Sequence, residues 1–519
     1  MADTQKPAGQ RGGGGVTYSH AVDGYFEKRQ LQRSAGVWGL WGLGVAAVIS
    51  GDFSGWSYGL GEGGFGGLLI GFVLIVVMYF CMLFSIGEMS SAMPHTGGAY
   101  SFARASMGPW GGFVTGLAET IEYVFTTGVI VLFSAGYANA VTDELVGLDL
   151  SGAMWIWWIV LYAAFLALNI MGGEASFKFA IGVALASIAI LALFAVLALA
   201  NGAVDFGRLL DIEPEAGGSA FLPFGIGGIF FALPFAMWFF LGIEELPLAA
   251  EEAHDPSRDI PRAGVLGMIT LVACGAVVLF LNPAVNGSEA LGLESPGAAD
   301  EPLLAGFRAF LPDNLAALLS LFALIGLLAS LQGIMFAYGR NMYSLSRAGY
   351  YPKALSVTGS RKTPWAALVA GAVIGFVALV IVDSFGGTAQ AIVLNIAVWG
   401  AVISYILQMV AFVLLRRKFP TAERPYVSPT GVPGAVVAGA IALVTFIAIA
   451  LNSAYRPAIV AIAVLYAIGL AVFAVYGRHR LILSPEEEYA MSGGLHRDPA
   501  HETYGSDLES ELPPEDFGR

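Results

Sequence analysis

The chain has 519 residues, of which 57% are hydrophobic and only 12% are charged, and its mean hydropathy is +0.72. Soluble globular proteins carry about 25% charged residues, so this composition excludes a soluble protein and indicates lipid as the solvent. Both cysteines lie inside apolar runs and are predicted to be packed hydrophobes, not a disulfide or metal pair. No histidine is central to an apolar run, which leaves no candidate ligands for a haem or an imidazole-bound metal.

Apolar runs long enough to cross a bilayer predict twelve membrane spans. Residues 1–35 form a polar N-terminal tail, not a short basic leader, so no cleaved signal peptide is predicted. Every Lys and Arg outside Arg208, Arg308 and Arg456 lies in or beside segments that face the cytoplasm if both termini do. The positive-inside rule therefore predicts a multi-pass protein of the cytoplasmic membrane with both termini in the cytoplasm. The spans are approximately 36–60, 65–92, 109–142, 153–171, 176–200, 222–247, 263–283, 313–341, 363–383, 388–415, 433–452 and 457–476.

Two of these spans are interrupted. Span 1 ends in "SGDFSGW", and span 6 reads "GIGGIFFALPFAMWFFLGIEELPL", with Pro234 and Gly242 inside it. Broken helices at corresponding positions of two halves indicate an inverted-repeat transporter with its site near the membrane midplane. We therefore predict an all-α polytopic fold with a 5+5 inverted-repeat core, residues 36–415, followed by a loop and spans 11 and 12, residues 416–483.

The unusual residue of the first break is Asp52. Free backbone amides in such a break suit a substrate carboxylate. A fixed anion competes for those amides and favours a cation, while the neighbouring serines offer hydroxyls to a small polar group. The alternative is that Asp52 only caps the second half-helix by accepting from the N–H of Ser54 or Gly55. The predicted substrate contacts in this break are Ser50, Gly51, Asp52, Phe53, Ser54 and Gly55.

Span 3 contains "GLAETIEYVFTTG", in which Glu119 and Glu122 share a helical face with Tyr123 nearby. Two carboxylates at this spacing repel each other unless a cation or a proton intervenes. The pair is predicted to bind substrate or to couple transport to protons. A polar contact between helices is the alternative.

The break in span 6 combines aromatic residues with acids. Aromatic faces beside an unwound backbone can hold an ammonium by cation–π attraction and carbonyl contacts, although each ring could equally be core packing. Glu244 and Glu245 lie nearer the cytoplasmic end and are candidates for gating, capping or, with Glu119 and Glu122, proton coupling. The predicted substrate contacts here are Trp238, Phe239, Phe240 and Gly242.

Five other polar or aromatic residues in spans 8 and 10 could reach the pathway, but are predicted to bridge helices. They are Gln332, Tyr338, Asn341, Asn395 and Trp399.

Several function classes are not supported by the sequence. There is no GxxxxGK[ST] motif and no stretch outside the membrane long enough for an ATPase domain. No nucleophile–base or metal constellation accompanies the paired carboxylates, so we predict no enzyme activity, no cofactor and no nucleic-acid partner. Residues 484–519, with ten acids against two arginines, are predicted to be a disordered cytoplasmic tail, either regulatory or merely solvated.

Three long motifs resemble the amino acid–polyamine–organocation (APC) transporter superfamily: "FSIGEMSSAMPHTGGAYSFARASMGPWGGFVTG", "FFLGIEELPLAAEEAHDPSRDIPRA" and "GRNMYSLSRAGYYPKAL". Within it, "VISGDFSGWSYGL", "GGAYSFARASMGPWGGF" and "LAETIEYV" are similar to the bacterial ethanolamine permease branch. The resemblance implies a LeuT-like fold and uptake of ethanolamine, a small cation without a carboxylate. Some proton-coupled members of the superfamily use a lysine in span 5, but here only Lys178 is present, near the cytoplasmic end.

The leading hypothesis is a secondary active transporter that imports ethanolamine or a related small cationic amine, with protons as the possible coupling ion. Alternating access would rock spans 1, 2, 6 and 7 against the rest, a motion implied by the fold resemblance. An amino acid or polyamine permease is the alternative within the superfamily. A channel or a non-transporting nutrient sensor is the alternative of another class.

Overall fold

The structure is a computed structural model that describes residues 10–12, 15–19, 25, 28–29, 31–294, 301–383, 389–484, 487 and 490. Within these residues, ten helices are long and apolar enough to cross a membrane, and two shorter apolar helices complete the predicted set of spans. The helices of spans 1–12 are Val37–Val48, Tyr58–Ala92, Gly98–Val146, Trp155–Ile170, Gly173–Ala200, Gly225–Trp238, Pro256–Asn286, Asp313–Arg347, Trp365–Asp383, Ala389–Lys418, Gly431–Leu451 and Arg456–Val475.

Two glycines in the left-handed region set span boundaries that the sequence predicted. Gly64 (φ 65°) interrupts the helix Tyr58–Ala92, so residues 58–63 form the short outer half of span 1 and span 2 follows. Gly108 (φ 79°) likewise separates a helix of residues 98–107 from span 3 proper. Only glycine adopts such φ values without strain, which is why both helices turn there.

Both predicted breaks are present. The helix of span 1 ends at Val48 and gives way to the 3-10 turn Ile49–Asp52, and Gly55 (φ 86°) continues the irregular stretch. The helix of span 6 ends at Trp238, Gly242 (φ 112°) interrupts it, and the chain resumes as the 3-10 helix Ile243–Glu252.

Helix packing repeats itself with an offset of five spans. Span 2 packs against span 6 as span 7 packs against span 1, and span 3 packs against span 10 as span 8 packs against span 5. The contacts of span 3 with span 9 recur between span 8 and span 4. Because each repeat has an odd number of spans, its two copies run in opposite directions through the membrane. The 5+5 inverted repeat with two additional helices is therefore confirmed.

Three short strands lie on one face of the bundle, which we call the terminal face; the other is the opposite face. β1 (Gln10–Gly12) pairs antiparallel with β2 (Val16–Ser19), and β2 pairs parallel with β3 (Leu481–Ile482). Strands from the two ends of the chain thus meet on the terminal face. Most of the predicted tail, residues 484–519, lies outside the described residues, but Glu487 is described and is fully buried.

The outward faces of the spans are apolar, as lipid contact requires. Val77 in span 2, Val196 in span 5 and Val464 in span 12 are about half exposed. The interior holds the polar side chains, and both cysteines are free, as predicted.

Candidate functional site

The two broken spans meet backbone to backbone. A Cβ atom at Gly51 would lie 2.4 Å from the carbonyl oxygen of Trp238, and one at Gly55 would lie 2.6 Å from the Trp238 indole nitrogen. Ser330 of span 8 holds the other side of the break, since its Oγ accepts from Ser50 N at 2.9 Å and donates to Ala46 O at 2.7 Å. The glycines of "SGDFSG" therefore permit the close approach of two unwound backbones.

Asp52 is buried where these backbones meet. It is 1% exposed, and neither carboxylate oxygen has a hydrogen-bond partner among the described residues. The Cys274 thiol of span 7 interacts electrostatically with it. The neighbouring Ser54 hydroxyl is also buried without a partner among those residues. A buried carboxylate with no partner costs free energy unless a cation or proton compensates it, so this arrangement calls for one.

The capping interpretation of Asp52 is wrong. Its oxygens accept from neither Ser54 N nor Gly55 N, and Ser54 N instead donates to Ser50 O at 3.1 Å. The half-helix that begins at Tyr58 has no side-chain cap. The amides of Phe53 and Ser54 both donate to Ser50 O within the turn, which leaves the carboxylate free for another role.

Side chains close the break toward the opposite face. Trp238 Nε1 donates to Ser54 O at 2.9 Å, and Tyr137 Oη of span 3 donates to Phe53 O at 2.9 Å. Two predicted contacts, Trp238 and Phe53, thus bridge the spans at this point. Both are buried.

Buried rings form a column that leads from the break of span 1 toward span 10. Neighbouring ring centroids along it are separated by 5.7, 5.2, 5.2, 5.7 and 5.7 Å. The predicted contacts Phe239 and Phe240 belong to this column and pack against rings of span 2. In order, the aromatic column is Trp56, Phe239, Phe72, Phe240, Tyr79 and Tyr405.

The column ends at a group of buried glutamates. Tyr405 Oη donates to Glu122 Oε1 at 3.3 Å, and Tyr123 Oη donates to Glu119 Oε1 at 3.4 Å. The second oxygen of each glutamate has no hydrogen-bond partner in the described part of the chain. Gly400 of span 10 permits this packing, since a Cβ there would lie 2.8 Å from Glu122 N.

Span 6 contributes two further glutamates to this group. Glu244 interacts electrostatically with both Glu119 and Glu122, and its Oε2 accepts from Gly242 N at 3.1 Å. Glu245 interacts with Glu244, and neither of its oxygens has a hydrogen-bond partner among the described residues. We call Glu119, Glu122, Glu244 and Glu245 the acid cluster. No group of His, Cys, Asp or Glu in the described part of the chain is arranged to hold a metal ion.

The structure divides the predicted site residues into two groups. The glutamates of the acid cluster interact with one another, whereas Asp52 shares no hydrogen bond with any of them. The sequence placed Asp52, Glu119 and Glu122 in a single site. The aromatic column runs from Trp56, in the break of span 1, to Tyr405, whose hydroxyl donates to Glu122 in the cluster.

A buried ion pair closes the terminal face. Arg340 of span 8 binds both oxygens of Glu252, at 2.9 and 3.0 Å, and both side chains are almost fully buried. The carbonyl oxygen of Glu252 accepts from Ser34 N at 2.8 Å and Ala35 N at 3.0 Å, at the start of span 1. We call the Arg340–Glu252 ion pair, together with these backbone bonds, the bolt. It joins spans 1, 6 and 8. Both residues lie in motifs that carry the superfamily resemblance, but neither is among the residues predicted for the site.

The polar residues of span 8 bridge helices, as predicted. Gln332 accepts from Asn169 of span 4 at 2.9 Å, Tyr338 donates to Leu368 O of span 9 at 2.9 Å, and Asn341 donates to Gly116 O of span 3 at 3.2 Å. In span 10 the prediction holds for one residue: Trp399 stacks on Phe446 of span 11, but Asn395 donates to Ala391 O of its own helix.

Lys178 does not reach the interior. It pairs with Glu174 at 2.7 Å on the surface of span 5, and its side chain is 76% exposed.

Comparisons with known proteins identify the family. The family model described as amino acid permease matches residues 39–482. An uncharacterized transporter of Rhizobium meliloti is 28% identical over 78% of this chain and 83% of its own length. The branched-chain amino acid permease BcaP of Bacillus subtilis is 25% identical over 87% of this chain and 94% of its own. The methylthioribose transporter of Bacillus subtilis is 23% identical over 78% of this chain and 85% of its own length.

Among solved structures, MHP1, a nucleobase-cation-symport-1 family transporter in a closed conformation with bromovinylhydantoin bound, matches with a TM-score of 0.48 and 14% identity. The match covers 95% of this chain and 100% of that one.

Proposed function

Because this chain belongs to the amino acid permease family of membrane transporters, we propose that it imports ethanolamine or a closely related small amine by alternating access. The observation that supports the proposal is the buried Asp52 carboxylate, whose two oxygens have no partner in the described structure. The other residues of the break and of span 6 would enclose the substrate.

An ammonium group would complete the Asp52 site. Removing a carboxylate from water costs several kcal/mol unless an opposite charge pairs with it, and no cationic side chain of the described residues does so. A primary amine supplies that charge and three N–H donors. The Ser54 hydroxyl also lacks a partner among the described residues, and in this proposal it would bind the hydroxyl of an amino alcohol.

An α-amino acid fits the same place less well. Its carboxylate would be a second anion close to Asp52, and like charges at short range repel strongly in a low-dielectric interior. The backbone turn uses Phe53 N and Ser54 N for bonds to Ser50 O, which leaves fewer amides for a substrate carboxylate. The site therefore favours an amine that lacks a carboxylate.

The acid cluster is the candidate for proton coupling. Four buried carboxyl groups share two tyrosine hydroxyls and one backbone N–H as donors, and the nearby Arg340 is engaged by Glu252. The charge of the cluster therefore depends on protons or on a bound cation. Glu244 and Glu245 follow the break in span 6, so motion of that span would change the distances inside the cluster.

The bolt would be the inner gate. The positive-inside rule predicts that both termini, and with them the terminal face, lie in the cytoplasm. A cavity of about 670 Å³ adjoins the bolt there, and its lining includes Arg33, Ser34, Lys178 and Glu252. Separation of Arg340 from Glu252 would open a route from the break to this cavity.

The test is uptake of radiolabelled ethanolamine into proteoliposomes, with alanine and putrescine as competitors. We expect saturable uptake, counterflow, and no competition by alanine at concentrations where unlabelled ethanolamine competes fully. Alanine that competes as well as ethanolamine would overturn the amine assignment. Ion conduction without counterflow would indicate a channel, and binding without uptake would indicate a sensor.

Two other substrates have support. Relatives named as amino acid permeases, such as BcaP, favour an amino acid. The separation of Asp52 from the acid cluster favours a polyamine, because a diamine needs two anionic regions. Preferential competition by putrescine in the same assay would select the second of these.

A further inference from the structure

A second group of buried polar contacts lies on the terminal face, away from both sites described above. The carboxylate of Glu487, in the C-terminal part of the chain, is fully buried there. Its Oε2 accepts from Arg104 Nε at 2.6 Å and Tyr18 Oη at 2.6 Å, and its Oε1 accepts from Tyr100 Oη and Tyr350 Oη, each at 2.8 Å. A carboxylate has about four lone-pair positions, so every one is used.

The donors come from distant parts of the chain. Tyr18 lies in β2, Tyr100 and Arg104 lie in the helix before span 3, and Tyr350 follows span 8. Arg104 Nη2 also donates to Tyr18 Oη at 2.7 Å, which orients that hydroxyl toward Glu487. Burial, and then the Glu487 charge, raises the pKa of Tyr18, so its hydroxyl stays protonated and donates. We call these four donor residues the tail receptor.

The receptor is shaped for this segment beyond the carboxylate. Leu481 and Ile482 pair with Tyr18 and Ser19 in the parallel strand, and Ile482 N donates to Ala348 O at 2.9 Å. A Cβ atom at Gly349 (φ 87°) would lie 2.4 Å from the carbonyl oxygen of Arg480. The floor of the receptor is a stack of rings. The ring centroid of Phe473 lies 4.3 Å from that of Phe113 and 5.4 Å from that of Tyr350.

The residues that follow β2 connect the receptor to span 1. Tyr25 Oη donates to Arg347 O at 2.9 Å, Arg29 Nε donates to Ser356 Oγ at 2.7 Å, and Thr358 N donates to Lys28 O at 3.1 Å. Ser34 and Ala35 then join the bolt. The chain before span 1 is therefore held to the end of span 8, to the loop that follows it, and to Glu252 at the end of the span 6 segment.

We propose that the tail receptor is a docking site for the C-terminal segment of this chain, and that its occupation by Glu487 restrains the N-terminal segment and so the opening of span 1 at the terminal face. Without Glu487, Arg104 would be a buried cation without its carboxylate, which is strongly unfavourable. Release of the tail would therefore loosen β2 and lower the barrier to opening the bolt.

The first half of this proposal is independent of the proposed transport function, and the test uses no substrate. In Glu487→Gln, hydrogen exchange of the amides of residues 16–19 should quicken about tenfold, which corresponds to about 1.4 kcal/mol. Tyr350→Phe removes one of four donors and keeps the ion pair, so a smaller increase is expected. The matched control is Glu213→Gln, an exposed acid between spans 5 and 6.

The effect on span 1 is read by labelling a Ser34→Cys variant with a membrane-impermeant maleimide. Labelling is measured on the peptide that contains position 34, so that Cys81 and Cys274 do not contribute. Adding Glu487→Gln should speed this labelling several-fold. A disulfide between Ser19→Cys and Ile482→Cys, whose Cα atoms are strand partners, should restore slow labelling.

Unchanged exchange at residues 16–19 in Glu487→Gln would refute the docking site. Faster exchange with unchanged labelling at position 34 would refute the coupling to span 1. Failure of the disulfide to restore slow labelling would also refute the coupling to span 1. If slow labelling returned only when the Ser19→Cys and Ile482→Cys changes were on two different copies in one oligomer, the receptor would bind the tail of a second copy. Ethanolamine binding measured on the same preparations separates these outcomes from failure of the proposed transport function.

Discussion

Asp52 and the acid cluster are both buried carboxylates in the transport core, yet their surroundings differ. Asp52 is a single anion between two unwound backbones, and neither of its oxygens is bonded to a described residue. Each of Glu119, Glu122 and Glu244 keeps one donor and has another carboxylate as its neighbour. An isolated anion can be neutralised only by something that enters the site, whereas a cluster can redistribute protons among its members. Selectivity and coupling can therefore reside in different places in this molecule.

The largest expected effect comes from removing the isolated charge. In Asp52→Asn, ethanolamine affinity should fall about 100-fold or more, because truncating one partner of a buried charge pair costs about 2–5 kcal/mol. Equilibrium binding to detergent-solubilised protein measures it, with size-exclusion behaviour as the folding check. The exposed Asp143→Asn is the matched control and should bind normally. Near-normal affinity in Asp52→Asn would show that Asp52 is not the substrate-binding anion, and the proposed division of roles between Asp52 and the acid cluster would then be wrong.

Glu122→Gln should separate coupling from binding. With one coupled proton, the accumulation ratio of ethanolamine changes about tenfold per unit of imposed pH difference, since one pH unit is about 1.36 kcal/mol. We expect Glu122→Gln to abolish this dependence at a clamped membrane potential while binding stays within about twofold, well under 1 kcal/mol. Glu174→Gln, whose side chain is 71% exposed, should keep the dependence. Equal loss of binding and coupling would place Glu122 in the substrate site.

Gly51→Ala tests the contact between the two breaks. Its methyl group would lie 2.4 Å from the Trp238 carbonyl oxygen, and neither backbone can yield easily. Overpacking of this kind costs about 1–3 kcal/mol, so we expect a lower Tm and about fivefold weaker ethanolamine binding. Gly227→Ala, in the helix of span 6 with nothing within 4 Å, should leave both unchanged or raise the Tm slightly. Identical behaviour of the two variants would argue against the close approach.

The smallest effect is expected for Tyr405→Phe, which removes the hydroxyl that donates to Glu122 and contacts Tyr79. One hydrogen bond contributes about 0.5–1.5 kcal/mol, so gradient-driven uptake should fall about threefold. Binding through Asp52 should be unaffected. Tyr476→Phe, at a residue that is 49% exposed, is the control. A loss of binding comparable to that of Asp52→Asn would show that the aromatic column transmits the change.

The sequence predicted what local patterns determine. Run lengths placed the spans. Gly55 and Gly242 marked the breaks because few other residues adopt a positive φ, and Gly51 did so because it permits a close approach of backbones. The grouping of side chains was not predictable, since it depends on how helices rotate about their axes and pack. Nothing near Tyr405 in the sequence indicates that it meets Glu122, 283 positions away in the chain. Composition likewise could not distinguish the buried Glu487 from the other acids of the tail.

The rings of the aromatic column are buried in a packed interior, where the dielectric constant is low. Part of any voltage across the membrane would therefore fall across the column. Moving one elementary charge through the full membrane potential involves about 2.3 kcal/mol per 100 mV, and a step through the column involves a share of that. A proton or amine that passes this column would therefore produce a transient current even before any substrate reaches the other side.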